Sequence, residues 1–251
     1  MILRTRHPTQ SDTTLGAWEA FAKTQRPRRY EGCVSQPAHA ALAGRIAAAL
    51  EDDVFGSLPR EVIDAVRLHD AGWAVPDLTA LECCVEAHPH SFLNYPAEKA
   101  VEAWRRSVRE AEARALVEGI LTSRHFCLLA PRDDHPAHEE FITAETKRRE
   151  PNEEMCHVSP EKLDRYTAAL GFCDLLSLCL CSGLNGTIQM PLCHPASPDA
   201  EEADQISITI IANTIGFDRP VLHPGTQVYV DMWVGSAPGP LKNQRICWRS
   251  I

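Results

Sequence analysis

The chain has 251 residues, of which 44% are hydrophobic and 24% charged, as is ordinary for a globular protein with one sizeable core. Its net charge of −9 argues against a nucleic-acid-binding protein, which usually presents a basic surface. No apolar run is long enough to cross a bilayer, and residues 1–7 contain no stretch of signal-peptide length, so we expect a cytoplasmic protein without a membrane partner.

The first predicted helix covers residues 35–50. Ser35 is a suitable N-cap, and the apolar residues that follow it recur at a spacing of four. His39 lies at the edge of this apolar stripe, where a histidine is ordinarily exposed on the surface. The helix therefore offers one imidazole beside its buried face.

The second predicted helix covers residues 58–73. Val62, Val66 and His69 share one face of it, at spacings of four and three. His69 therefore points towards the interior, either as a hydrogen-bonded core residue or as a ligand. The adjacent Asp70 adds a carboxylate, and an imidazole with a carboxylate suits a divalent cation.

A loop-rich segment is predicted over residues 74–95, because Pro76 and Pro89 interrupt it and Pro96 follows it. It carries the carboxylates of Asp77 and Glu82 directly after the His-Asp pair. A polar loop in this position often lines a pocket.

Further helices are predicted over residues 96–111 and 115–129, and the second of these ends close to His125. A charged connection is then expected over residues 131–140, followed by a polar surface helix over 141–149.

The last predicted helix covers residues 159–182 and is apolar on all sides after its first turns, as is typical of the central helix of a bundle. Asp174 is the charged residue of that apolar run. A buried carboxylate without compensation is costly, so Asp174 must be paired, protonated or bound to a cation.

The pattern changes after residue 184. Alternating apolar and polar residues predict strands over 205–211 and 227–234, with a shorter one over 187–190. We therefore expect two parts: a helical domain over 1–184 and a small antiparallel appendage over 185–251. Exposed edges of the appendage could support a homodimer.

The chemistry-bearing residues of these helices come in a fixed order, which is His39, then His69 and Asp70, then His125, then Asp174. This order resembles the HD-domain superfamily of metal-dependent phosphohydrolases, whose pattern is a histidine, an adjacent His-Asp pair and a distant aspartate on separate helices. The resemblance covers roughly residues 33–182. The stretch from His69 to Trp73 is similar to an uncharacterised bacterial branch with an HDxGW signature.

The resemblance implies a mainly α protein, an HD-like helical bundle carrying the β appendage. It also implies a divalent metal, with Fe, Mn, Zn, Ni and Mg as candidates and one or two ions bound. The implied primary ligands are four residues: His39, His69, Asp70 and Asp174. His125 would complete a five-ligand site or bind a second ion.

The implied reaction is hydrolysis of a phosphate ester or phosphoanhydride in a small phosphorylated molecule, by water activated on the metal. Asp70, or a nearby carboxylate such as Asp77 or Glu82, would act as the base. Many family members carry a lysine after the glycine of the motif, where this chain has Trp73. Arg124 is then expected to supply the charge for phosphate, with Arg45 as a substitute.

Two other functions fit the same residues. A related branch of the superfamily uses a di-iron site for oxidation or oxygenation, and this chain has enough histidines for it. The third possibility is a degenerate, non-enzymatic HD module that binds metal for structure.

Overall fold

The computed structural model describes residues 1–5, 30–83, 91–130, 134–234 and 242–251. In these segments the chain forms eight α-helices: α1 Gln36–Ala47, α2 Asp52–Phe55, α3 Arg60–Leu68, α4 Ala74–Cys83, α5 Ala97–Glu112, α6 Leu116–Leu129, α7 Pro136–Met155 and α8 Pro160–Ser182. Among the helices of these segments, none is both long and apolar enough to span a membrane.

The same segments contain a seven-stranded sheet: β1 Ile2–Thr5, β2 Tyr30–Val34, β3 Gly186–Pro191, β4 Gln205–Ile211, β5 Thr214–Phe217, β6 Gln227–Val234 and β7 Lys242–Ser250. The strand order is β1-β2-β6-β7-β5-β4-β3. The pair β5 and β7 is parallel and the other neighbours are antiparallel. The sheet is therefore mixed, and it curls into half a barrel.

The prediction of a helical bundle with a small antiparallel C-terminal appendage is wrong. Helix makes up 55% of the structure, but strands make up 21%, and the sheet includes both ends of the chain. Gly32 and Cys33 of β2 pair with Val234 and Trp233 of β6. Alternation along a sequence indicates a strand but not its distant partner, so local patterns could not show that the N-terminal strands enter this sheet.

Helix α8 lies at the centre of the hydrophobic core. Ser159 caps its first turn by accepting a hydrogen bond from the backbone of Lys162, and Gly183 ends it in the left-handed conformation at φ 81°. Its residues share one hydrophobic cluster with the inward-facing residues of β4 and β6, such as Ile208 and Val228. Helices and sheet are thus packed on the same core.

The predicted loop over residues 74–95 is helical in its first part. Pro76 lies in the first turn of α4, where the missing amide proton leaves no helical hydrogen bond unmade. The predicted charged connection over 131–140 is likewise helical from Pro136 onwards, where α7 begins. In both segments a proline marks the start of a helix rather than its end.

Candidate metal centre

Five side chains from four helical segments meet in the core. They are His39 of α1, His69 and Asp70 after α3, His125 of α6 and Asp174 of α8, each at most 7% exposed. Two overlapping groups of three have ligand atoms within 4.8 Å of one another: His39, His69 and Asp70, and His69, His125 and Asp174. Both groups could hold a metal ion. The structure therefore brings together all five residues predicted as ligands.

The backbone sets the orientation of His69. Its Nδ1 lies 2.8 Å from the carbonyl oxygen of Val66, one turn earlier, so the Nδ1 proton is committed to that acceptor. Its Nε2 is buried, has no hydrogen-bond partner among the described residues, and lies 3.3 Å from Asp174 Oδ1. A buried ring nitrogen that is held beside a carboxylate and has no other partner is the arrangement that a metal ion completes.

His39 is fixed in the same way by a side chain. Ser177 donates its hydroxyl proton to the carbonyl oxygen of Asp174 at 2.8 Å, so its Oγ accepts from His39 Nδ1, also at 2.8 Å. The other ring nitrogen, Nε2, lies 2.8 Å from Asp70 Oδ2. A neutral Nε2 and an ionised carboxylate are both acceptors, so a proton or a metal ion must lie between them.

Burial and charge act in opposite directions on the pKa values here. Burial would lower the pKa of His69, but the carboxylates of Asp70 and Asp174 outweigh it and raise the pKa to about 9. Burial would raise the pKa of Asp174, yet the surrounding imidazoles hold it well below its usual range. Burial, aided by the neighbouring imidazoles, keeps the pKa of His125 well below its usual value. The lowered pKa keeps Asp174 ionised, and its negative charge would attract a cation.

His194 joins the site from the loop after β3, and the sequence analysis missed it. Its Nε2 lies 2.8 Å from His125 Nδ1, and its Nδ1 accepts a hydrogen bond from the backbone of Ala196. In the neutral pair His194 Nε2 therefore donates to His125, which keeps its own proton on Nε2, 3.7 Å from Asp174 Oδ2. A histidine in an irregular loop shows no periodicity that could have identified it.

Gly171 of α8 makes room for this loop. A Cβ atom there would lie 2.5 Å from His194 Cδ2 and 2.8 Å from Pro195 Cδ, closer than atoms can approach. The contact with His194 thus requires a glycine at this position of the apolar helix, and no local pattern could have predicted that contact.

Asp77, predicted as a base, lies outside the cluster. Its Oδ1 is 2.9 Å from the backbone nitrogen of Met1, and its Oδ2 accepts from the backbone of Gln36 at the start of α1. The carboxylate thus ties β1 and α1 to α4. Glu82 lies in the last turn of α4, and its side chain is outside the part that the structure describes.

Arg124 also points away from the cluster. It donates to Glu153 at 2.7 Å and to Asp164 at 2.6 Å, which joins α6, α7 and α8 at the surface. Arg45, the suggested substitute, stacks over Tyr229 of the sheet with its guanidinium carbon 4.0 Å from the ring centre. Neither arginine lines the cavity beside the ligands.

A cavity of about 350 Å³ opens onto the cluster. Its wall includes the aromatic residues Trp73, Phe92, Tyr95, Trp104 and Phe126. The lining residues that the structure describes include no lysine and no arginine. The lysine expected from the HD pattern is thus replaced by Trp73, which is 3% exposed and contacts Tyr95 with the ring centres 5.1 Å apart.

Comparison with known proteins adds a family. Residues 7–234 match a family model with the description "Protein of unknown function (DUF3891)". Neither the curated proteins nor the solved structures contain a match to the chain. These comparisons do not link the chain to the HD-domain superfamily, so that resemblance stays a prediction.

Proposed function

The chain belongs to the DUF3891 family, whose description assigns no activity, and we propose from its site that it is a divalent-metal-dependent hydrolase of a phosphate ester or phosphoanhydride. The observation that carries the proposal is the meeting of His39, His69, Asp70 and Asp174 in one buried cluster beside a cavity. Imidazole and carboxylate ligands together suit Mn, Fe or Zn.

A divalent ion bound there would lower the pKa of a coordinated water and polarise a phosphoryl oxygen. The chain's residues supply the rest. Val66 and Ser177 hold the rings of His69 and His39 so that each directs Nε2 into the cluster. Asp70 lies against this nitrogen of His39 and is the carboxylate best placed to accept the proton of the attacking water.

His125 has a different role in this proposal. Through His194 it keeps a proton on Nε2, on the side of the ring that faces Asp174. This N–H can donate a hydrogen bond to the oxygen on which negative charge develops during phosphoryl transfer. His125 therefore acts in this proposal as a hydrogen-bond donor to the phosphoryl oxygen and not as a fifth metal ligand.

A second function is favoured by the cavity wall. Because its described lining contains no lysine and no arginine, a phosphate would depend mainly on the metal for charge. The two overlapping ligand groups, with His69 in both, could instead hold two iron ions, which would supply the chemistry for oxidation of an uncharged substrate by dioxygen. A di-iron oxidase or oxygenase is therefore the alternative, and it would require His125 and His194 to shift their protons.

Replacement of Asp174 by asparagine tests the metal site. Asp174→Asn removes a buried negative charge from the ligand set, so we expect metal content after purification without chelators to fall by at least about tenfold. The matched control is Asp164→Asn on the same helix, at an exposed carboxylate paired with Arg124. Elemental analysis of both variants, with circular dichroism to show that the total helix content is retained, gives the result.

Turnover of a panel of phosphomonoesters, phosphodiesters and nucleoside triphosphates then tests the reaction. We expect hydrolysis of at least one of these classes with Mn²⁺ in the native chain and in Asp164→Asn, and none in Asp174→Asn. Metal content in Asp174→Asn equal to that of the native chain would refute the site. Two iron ions per chain with no hydrolysis would favour the oxidase, and one ion with no turnover of either kind would favour a binding module.

A further inference from the structure

Two chemically distinct kinds of side chain line the cavity beside the ligands. The first are the imidazoles and carboxylates of the cluster. The second are aromatic rings: Trp73 contacts Tyr95, and Trp104 stacks on Phe126 with the ring centres 5.2 Å apart and the planes at 16°. A ligand that spans the cavity must therefore combine a metal-binding group with an apolar body.

The volume limits the size of that body. At roughly 30 Å³ for each water-sized group, 350 Å³ accommodates about a dozen non-hydrogen atoms. A nucleoside monophosphate has about twice that number of non-hydrogen atoms. A single ring with one small substituent fills the space.

Two buried polar atoms in the lining also indicate a ligand. Trp73 Nε1 and Gln36 Oε1 have no hydrogen-bond partner among the described residues, and both side chains belong to residues that are 3% exposed. Buried polar groups in native proteins are nearly always paired. Unpaired atoms in the wall of a cavity are therefore expected where a bound molecule completes the bonding.

We infer that the substrate is a compact phosphoryl compound whose body is a single apolar ring, with the phosphoryl group at the His/Asp cluster and the ring against Trp73, Tyr95 and Trp104. This inference rests on the proposed hydrolase function and deepens it by naming the substrate class. It excludes nucleotides, because they have about twice as many non-hydrogen atoms as the cavity accommodates.

Three probes of binding separate the candidates, each added to the full chain loaded with Mn²⁺. Phenylphosphonate carries the ring and a phosphoryl group that cannot be hydrolysed, methylphosphonate lacks the ring, and AMP carries a nucleoside. Burial of the ring should make phenylphosphonate bind about 10- to 100-fold tighter than methylphosphonate. AMP should bind no better than methylphosphonate. Calorimetry measures all three affinities.

Two variants of α5 test whether the ligand binds in the cavity. Ala97, half-buried at the start of α5, lines the cavity, whereas Ala113 lies exposed at the other end of the same helix. Ala97→Phe should weaken phenylphosphonate binding by about tenfold or more by occupying the space, with Mn²⁺ content unchanged. Ala113→Phe should change neither quantity.

AMP binding as tight as that of phenylphosphonate, or equal affinities for phenylphosphonate and methylphosphonate, would overturn the inference while leaving the hydrolase proposal intact. If the chain takes up no Mn²⁺, the hydrolase proposal fails instead. Binding of phenol to the metal-free chain then tests whether the aromatic residues of the cavity bind a ring. Saturation-transfer NMR should detect contact between phenol and the protein in the native chain and in Ala113→Phe, but not in Ala97→Phe. Absence of that contact would overturn the inference as well.

Discussion

At the scale of single residues, the hydrogen bond and the charges around His69 orient its ring for binding a metal ion. Because Val66 accepts its Nδ1 proton, only Nε2 is left to face the cluster, and the ring cannot rotate without breaking a buried hydrogen bond. In the metal-free protein Asp70 and Asp174 keep a proton on this nitrogen by raising its pKa to about 9. An incoming metal ion must therefore displace that proton.

This competition predicts a pH dependence of metal binding. His69 is protonated below its raised pKa of about 9 and must lose the proton to bind, so affinity should increase as pH rises towards that value. With one proton released, we expect about a tenfold gain in Mn²⁺ affinity for each pH unit between about 7 and 9. Calorimetry at several pH values, in two buffers of different ionisation enthalpy, measures both the affinity and the proton released.

The same titration on Ser177→Ala gives a comparison in which the ring of His39, not that of His69, loses its support. The affinity should fall by about 10-fold to 100-fold while the slope with pH is kept. An affinity of the native chain that does not change with pH would contradict the assignment of His69 as a ligand.

At the scale of elements, the short 3-10 turn Ala71–Trp73 packs unusually closely on α5. A Cβ atom on Gly72 would lie 2.1 Å from the carbonyl oxygen of Ala103, and the amide of Gly72 donates to Ser107 Oγ at 2.9 Å. Only glycine permits this approach. Since the turn follows Asp70 directly, the contact with α5 also holds that ligand in place.

Gly72→Ala should therefore separate the turn from α5. We expect a loss of about 1–3 kcal/mol in the free energy of unfolding, because the crowded atoms belong to backbone and cannot move alone. For a chain of this size that corresponds to a fall in Tm of roughly 2–4 °C per kcal/mol. Differential scanning calorimetry of the metal-free protein measures it.

The control is Gly216→Ala in β5, where the added atom would meet Ile251 at an ordinary 3.7 Å. Its unfolding free energy should stay within about 0.5 kcal/mol of the native value. Equal stability of the two variants would show that the turn adapts, and that the contact with α5 does not position Asp70.

The elements differ in how far the sequence could predict them. Helix α8 could be predicted from the N-cap at Ser159 and from the continuous apolar run that follows. Helix α1 could be predicted from apolar residues that recur at a spacing of four. Helix α4 was not predicted, because a proline inside a helix usually interrupts it, whereas Pro76 lies in the first turn, where a proline is compatible with a helix. Strand β2 was missed because its few residues show too little alternation to register as a strand.

The residues of the candidate site also differ in how far the sequence could predict their roles. Its five predicted residues lie on or beside helices whose buried faces the sequence could locate, and the structure brings them together. The roles given to Asp77 and Arg124 depended on nearness along the chain, and both side chains are engaged elsewhere. Nearness in sequence says which residues are neighbours but not which way their side chains point.

At the scale of the whole molecule, the helices and the sheet share one hydrophobic core. Leu170 and Leu176 of α8 belong to the same hydrophobic cluster as Ile208 of β4 and Trp248 of β7. The N-terminal strands also need β6 as their neighbour. The predicted boundary near residue 184 thus crosses shared hydrophobic surface.

A chain ending at residue 184 should therefore not fold by itself. It would leave β2 without its partner β6 and expose the sheet-facing side of α8 to water, so we expect aggregation and no cooperative thermal transition. The full chain, prepared in parallel, should melt cooperatively. A soluble fragment 1–184 that melts cooperatively and binds Mn²⁺ would show instead that the helical part is an independent domain.

The hydrogen bond from the β3–β4 loop to His125 has a consequence for recognising related chains. A search pattern written from helices alone would end at Asp174 and would accept chains in which nothing supports the His125 ring. Extending the pattern to His194, together with the glycine at position 171 that admits it, would separate chains that share this complete arrangement from those that share only the helical scaffold.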